Sequence, residues 1–216
     1  MGLDPRVGRS FLRAGLGWGG ACFPKDVRAL ETSAGYHGQS FWLLKAAIEV
    51  NNQQRRRFIS KLPDGLGGSL QGRRVAILGL AFKPFTDDLR QAPAIDIIRH
   101  LHDLGAQVVA TDPVALENAG PLLPRVELVE DAYEAVTGSD AVGLVTEWPE
   151  YHDLDWARVI SLMRGRLVVD GRNCLDGEVI AARAGVYLSM GRRVMAAPSA
   201  LPETGQPTMA PSLALG

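Results

Sequence analysis

Hydrophobic and polar positions divide the chain into two unlike parts. From Gln39 to Leu62 it runs 24 residues without a glycine or proline. Within that stretch Phe41, Leu44, Ile48, Arg55, Phe58 and Leu62 recur at helical spacing, which predicts one helix about 35 Å long. Apolar residues surround its first half, Phe41 to Leu44, and a helix apolar all round needs a covering partner. A shorter helix precedes it in "KDVRALETSA", with Val27, Leu30 and Ala34 on one face, Pro24 at its first turn and Gly35 as its stop. Residues 1–20 carry Gly and Arg without periodicity and read as loop.

After the Gly- and Pro-rich stretch "PDGLGGSLQG" at 63–72 the pattern changes. Short apolar runs, "RRVAILGLA" (73–81), "AQVVATDP", "DAVGLVTEW" (140–148), "RLVVDGRN" (166–173) and "VYLSMGR", alternate with helical patterns. Among these are "APAIDIIRHLHDLG", with Ala94, Ile97, Ile98 and Leu101 on one face, and "DWARVISLM". Near-continuous apolar strands alternating with helices predict an α/β, doubly wound, Rossmann-like domain with a parallel sheet covered on both faces. From residue 194 the chain is rich in Ala, Pro and Ser and reads as a disordered tail, 194–216.

Composition narrows the function. A net charge of -1 over 216 residues gives no field for nucleic acid or an anionic membrane. No apolar run reaches the length of a bilayer span, and the N-terminus has no apolar signal core. The Met-Gly start would suit myristoylation, but Arg6 stands where that motif needs Ser or Thr. Cys22 and Cys174 have no framework or metal spacing, and His37, His100, His102 and His152 are scattered. The expectation is free thiols in a reducing cytoplasm, with no metal.

Candidate chemistry concentrates in "GGACFPKD" (19–26). Cys22 stands at a helix start beside Lys25, where partial positive charge favours a thiolate, and Asp26 follows one turn later. The alternative is a small apolar cysteine packed beside solvated charges. Gly15, Gly17 and Gly20 match G-x-G-x-x-G, yet no strand precedes them, so they read as a place where backbone approaches a ligand closely and leaves amides free for it. "LGLAFKPFTDDLRQAP" (78–93) brings Lys83 and Arg90 to a strand-to-helix connection, and "DGRN" brings Arg172 to another. If those strands are neighbours, Lys83 and Arg172 converge on one anion-binding crevice. Asp112 stands where a ribose-binding carboxylate could, or simply caps the chain before Pro113. Arg55, Arg56 and Arg57 read as a solvated helix face, and Cys174 as packing.

Taken together, "GLDPRVGRSFLRAGLGWGGACFPKDVRAL", "VNNQQ", "VAILGLAFKPFTDDLRQAPAIDII", "TDP", "TEWPEYHDLDW" and "DGRN" resemble the UDP-glucose 6-dehydrogenase family, from about residue 2 to 193. The resemblance implies oxidation of a sugar-nucleotide primary alcohol to a carboxylate with NAD, through an aldehyde, a thiohemiacetal and a thioester on the cysteine. A thiolate suits that route because it both attacks a carbonyl and leaves again. Carried over by motif, Cys22 is the nucleophile and Asp26 helps place water and a lysine. Arg13, Gly15, Gly17, Trp18 and Gly19 form the loop over the sugar nucleotide. Phe82, Lys83 and Arg172 hold its UDP end, and Lys25 and Arg90 border NAD. Arg6 reaches the neighbouring subunit's sugar, and residues 39–62 hold a homodimer.

The implied organisation is a catalytic loop (1–23), a central helical dimerisation segment (24–62), a linker (63–73), a UDP-sugar-binding domain (74–193) and the tail. The family's serine before the cysteine is Ala21 here. Its NAD-binding domain, with the true glycine fingerprint, the oxyanion lysine and asparagine and the hydrolytic glutamate, would precede this segment. The expectation is therefore a C-terminal part, inactive alone and working with a separate NAD-binding domain on UDP-glucose. The alternatives are a UDP-sugar-binding remnant without chemistry, or a dehydrogenase for GDP-mannose or a UDP-N-acetyl sugar.

Overall fold

A computed structural model describes residues 2–9, 12–183 and 185–196. The chain opens in turns, then forms helices α1 (Phe23–Tyr36) and α2 (Trp42–Gly65). Pro24 sits at the start of α1 and is buried. The helix continues through Gly35, and the reversal falls instead on Gly38, whose φ of 71° suits a residue without a β-carbon. Helix α2 also outruns its expected end and passes through Pro63, so the first residues of the expected linker are helical. Packing explains this. A β-carbon on Gly65 would lie 2.7 Å from the Leu167 side chain, so the last turn of α2 is pressed onto the sheet.

The sheet comprises β1 (Arg74–Leu78), β2 (Gln107–Thr111), β3 (Glu127–Leu128), β4 (Ala141–Leu144), β5 (Leu167–Asp170), β6 (Val186–Ser189) and β7 (Met195–Ala196). Helices α3 (Pro93–Asp103), α4 (Leu116–Ala119), α5 (Ala132–Val136), α6 (Pro149–His152), α7 (Trp156–Leu162) and α8 (Gly177–Ala182) connect them. Strand order is β3-β2-β1-β4-β5-β6-β7. All pairs are parallel except β6 with β7. Met195 and Ala196 thus pair with β6 where the sequence suggests disordered tail, and residues 197–216 lie outside the described residues.

Ala94, Ile97, Ile98 and Leu101 of α3 are fully buried, as their spacing requires. The C-terminal half of α2 buries Phe58, Ile59 and Leu62, each contributing about 1.5–3 kcal/mol. Phe58 closes over Gly143 of β4. The first half is different: Trp42 is 72% and Leu43 79% exposed. The order of strand addition reverses about β1, with β2 and β3 on one side and β4 to β7 on the other. The carboxyl ends of β1 and β4 therefore flank the crevice where open α/β sheets take their ligands.

Candidate functional site

Three loops meet at that crevice, and three side chains fix them. Asp112, at the end of β2, is buried and accepts five N–H donors. Its Oδ2 takes the Leu80 N–H (2.7 Å), the Ala81 N–H (3.0 Å) and the Trp148 indole Nε1–H (3.2 Å). Its Oδ1 takes the N–H groups of Val114 (3.1 Å) and Ala115 (3.0 Å). A carboxylate so engaged has no oxygen left for a ribose, which decides for the capping alternative. Asp170 does the same at the end of β5. It accepts from the Arg172 N–H (2.8 Å), the Leu175 N–H (2.8 Å) and the Tyr187 hydroxyl (2.9 Å).

Arg172 is the third fastener. Its Nε donates to the Val145 carbonyl (2.7 Å) and lies 3.1 Å from Glu147 Oε2. The two terminal nitrogens reach the carbonyls of Gly17 (3.3 Å) and Phe82 (3.5 Å). Burial, the largest influence, lowers its guanidinium pKa, with Glu147 opposing. Lys83 is exposed with its Nζ 5.3 Å from the Phe82 ring. Lys83 and Arg172 thus flank Phe82, but β4 lies between their strands, so they are not on neighbouring strands as the sequence suggests. Among the described residues Lys83 makes no ion pair, while much of Arg172 is spent inside the protein.

The glycine run is bolted to the sheet ends. The Leu16 N–H donates to the Gly171 carbonyl (2.9 Å), and Leu16 is fully buried. Asn173 Nδ2 donates to the Ala14 carbonyl (3.2 Å). The Trp18 N–H donates to Asn51 Oδ1 (2.7 Å) and its carbonyl accepts from Asn51 Nδ2 (3.3 Å) and Arg55 (3.2 Å). Gly17, with φ of 86°, faces the Asn51 amide so closely that a β-carbon would collide with it. At Gly20, with φ of 90°, a β-carbon would lie 2.8 Å from the Phe82 ring. Glycine at both positions serves loop-to-protein contact, and of the amides in the run those of Leu16 and Trp18 are already used. This run therefore does not fit a dinucleotide pyrophosphate, which needs open amides at a helix start.

Beyond Gly20 the loop delivers Cys22 to the start of α1, exposed. The Asp26 N–H closes on the Cys22 carbonyl (2.9 Å), and Lys25 Nζ lies 3.5 Å from Asp26 Oδ1, both side chains in solvent. Arg90 pairs with Asp88 (2.8 Å). Hydrogen bonds to Asp88 first, and its charge second, raise the Arg90 pKa, and Cys22 adds a smaller push in the same sense, so Arg90 and Cys22 share one neighbourhood. Two exposed, paired cations do not by themselves seat NAD. Cys174 is the opposite kind of thiol: half-buried, with burial and then the charges of Asp170 and Glu147 pushing it up to about 12. Arg6 forks onto Asp4 (2.6 Å) in solvent.

On the other flank of the glycine run a cleft of about 870 Å³ opens between the loop and α2. Arg13, Gly15, Gly17 and Trp18 line it from one side, Arg57 and Lys61 from α2, and Glu147 and Arg172 from the strand ends. Asn51, Arg55, Asp170 and Asn173 are the residues that sequence reasoning missed, while Asp112 reads there as a candidate cap. Arg55 in particular is mostly buried and pairs with Asp96 of α3, where the sequence suggests a solvated arginine run. Its place in the apolar spacing of Phe41, Leu44, Ile48 and Phe58 is the signal that separates it from Arg56.

Two family patterns match the chain. "UDP-glucose/GDP-mannose dehydrogenase family, UDP binding domain" covers residues 76–177, and the central domain of the same family covers residues 1–53. UDP-glucose 6-dehydrogenase TuaD of Bacillus subtilis is 45% identical over 193 residues, 89% of this chain and 42% of that protein. The UDP-glucose 6-dehydrogenase of Rhizobium meliloti is 41% identical over 89% of this chain and 44% of its own length. Among solved structures, a UDP-glucose dehydrogenase from Pyrobaculum islandicum superposes with a TM-score of 0.76 at 39% identity, over 87% of this chain and 41% of that one. The chain thus spans less than half the length of the relatives it matches.

Proposed function

Because the chain belongs to the UDP-glucose/GDP-mannose dehydrogenase family, we propose that it is the part of a UDP-glucose 6-dehydrogenase that holds the sugar nucleotide and presents the sulfur nucleophile. One observation carries the reading. The loop ending in Cys22 is fastened to the carboxyl ends of the sheet through Leu16–Gly171, Arg172–Gly17 and Asn173–Ala14. Nucleophile and nucleotide crevice therefore share one frame, which is what a reaction at the sugar end of a UDP-sugar needs.

In this reading the diphosphate lies against Lys83, the exposed cation beside Phe82, with Arg172 shaping the crevice from beneath. The sugar extends along the glycine run toward Cys22. The Cys22 thiolate adds to the aldehyde carbon as a thiohemiacetal; after loss of a hydride to NAD the thioester is attacked by water, Cys22 leaves as thiolate, and Asp26 orients that water with Lys25. Arg6, on the exposed N-terminal turn, reaches a second subunit, and the bare first half of α2 forms the homodimer contact. NAD, the oxidant implied by the resemblance, is held mainly by a separate NAD-binding unit, with Lys25 and Arg90 at its border.

Calorimetry with UDP tests the crevice. The chain is expected to bind UDP, and Lys83→Ala to weaken binding about tenfold. Unchanged affinity in Lys83→Ala would remove the diphosphate assignment. The chain alone, given UDP-glucose and NAD, is expected to form no NADH. NADH formation that disappears in Cys22→Ser would show that the oxidant is seated after all. Turnover restored by an NAD-binding domain added in trans would separate the dehydrogenase from a UDP-sugar-binding remnant.

A further inference from the structure

Helix α2 does more than fill the interior. Asn51 and Arg55 lie one helical turn apart and so share a face. That face meets the peptide of Trp18 from both ends: Asn51 Oδ1 accepts its N–H (2.7 Å), and Asn51 Nδ2 (3.3 Å) and Arg55 (3.2 Å) donate to its carbonyl. Asn51 is the buried polar residue of α2. Arg55 carries the hold further, to Asp96 in the first turn of α3. The loop before α3 carries Arg90, and Gly19 presses against the Gln91 carbonyl in that loop, 2.5 Å from a β-carbon placed there. Four residues past Trp18 comes Cys22.

We propose that Asn51 and Arg55 are positioning residues: a two-rung clamp on the Trp18 peptide that sets where Cys22 is presented and ties it, through Asp96, to the loop holding Arg90. The inference rests on the proposed role of Cys22. The loop is anchored on two sides, at the sheet through Ala14, Leu16 and Gly17 and on α2 through Trp18. Leu16 is fixed on Gly171 at the sheet, Trp18 on α2. With the sheet anchor alone the sugar-nucleotide side of the loop keeps its place, while Gly19 to Cys22 keep only the packing of Gly19 on Gln91 and Gly20 on Phe82. The clamp therefore governs delivery of the thiol and leaves binding largely alone. Lysine cannot replace Arg55, because one ammonium cannot reach the Trp18 carbonyl and the Asp96 carboxylate as a fork does.

Amide hydrogen exchange resolved by NMR tests this in Arg55→Met, Arg55→Lys and Asn51→Ser. Trp18 is expected to exchange about tenfold faster in each, with Leu16 within about twofold of wild type. Arg55→Lys is expected to keep the wild-type melting temperature through Asp96 yet still release Trp18, which a merely structural arginine would not do. If Arg55→Met fails to fold, Asp96→Asn keeps the arginine and cuts its hold on α3. A Trp18 rate raised about threefold with Leu16 unchanged then supports the clamp. Trp18 exchange within about twofold of wild type in the folded variants, or Leu16 rising in step with it, overturns the clamp. UDP calorimetry on the same samples reads the proposed function separately. Retained UDP affinity in Arg55→Met is expected, and loss equal to that of Lys83→Ala would contradict two anchors. A wild-type chain that does not bind UDP would sink the substrate reading and leave the exchange result standing.

Discussion

Replacing Asp112 by alanine is the harshest test of how the crevice is built. The side chain is 1% exposed, and its removal strands four backbone N–H groups and the Trp148 indole N–H, now at 2.7–3.2 Å from its oxygens. Each buried donor left unpaired costs about 1–3 kcal/mol, and the bonds lost are charge-assisted. Relaxation and water entry recover part of that, so the net loss is set at about 4 kcal/mol, roughly a thousandfold in the folding equilibrium. For a domain of this size that lowers the melting temperature by about 10 °C. Urea unfolding followed by tryptophan emission measures it, since Trp148 is itself one of the donors. Asp112→Asn keeps one acceptor and is expected near half the loss. The Leu80 and Ala81 amides begin the loop that carries Lys83, so surviving Asp112→Ala protein is also expected to bind UDP more weakly. A loss below about 1 kcal/mol would refute the reasoning, because it would mean these donors find other partners at no cost.

Four further outcomes follow from the same geometry. Iodoacetamide at pH 7.5 or so is expected to modify Cys22 while Cys174, pushed up to about 12, holds a thiolate fraction about a thousandfold below a free cysteine; equal labelling of Cys22→Ser and Cys174→Ser proteins would contradict this. Sedimentation is expected to show a dimer that Trp42→Glu or Leu43→Glu dissociates, since covering each such side chain contributes about 1.5–3 kcal/mol; a wild-type monomer at micromolar concentration would count against it. Phe85 holds φ of 62° with its ring 80% exposed, so Phe85→Asn is expected to gain about 0.5–1 kcal/mol in urea unfolding, and a loss would mean its edge contact with Trp148 outweighs the strain. Burial alone would raise the Asp140 pKa, but hydrogen bonds from Arg164 and the Arg74 N–H, with the charges of Arg164 and Arg73, bring it below the ordinary value. A depressed carboxylate contributes fully above the unfolded carboxylate pKa of about 4 and loses that contribution as pH falls through the lower folded value, so Arg164→Met is expected to flatten the acid limb of the stability curve, and an unchanged limb would assign acid sensitivity elsewhere.

The parallel sheet was legible because its strands are buried on both faces, which makes them continuous apolar runs such as "VAIL" and "LVVD". Strands β3 and β7 were not legible: two residues each, they are strands through their neighbours' hydrogen bonds and carry no pattern of their own. Pro63 and Gly65 read as a helix end by local rule, and packing against Leu167 overrode it. At the site, the chemical residues stood out by type and spacing, while the fasteners did not. Asp112 and Asp170 look like ordinary strand-end turn residues, and only the fold reveals that each is buried under converging N–H groups. Arg55 was hidden in a run of three arginines, and its partners, Trp18 and Asp96, lie 37 and 41 positions away. Local spacing reports helix faces and cannot report which loop a face will meet.

In the proposed function the nucleotide crevice and Cys22 share one frame, and ligand protection of the thiol measures that link directly. The rate of Cys22 alkylation is followed at rising UDP-glucose, with Cys174→Ser protein to isolate the site and calorimetry to fix the saturation curve. The rate is expected to fall along that same curve, and to fall less with UDP, which lacks the sugar that reaches toward Cys22. Saturated binding with an unchanged alkylation rate would show that nucleotide and thiol do not share a site, and would contradict the account.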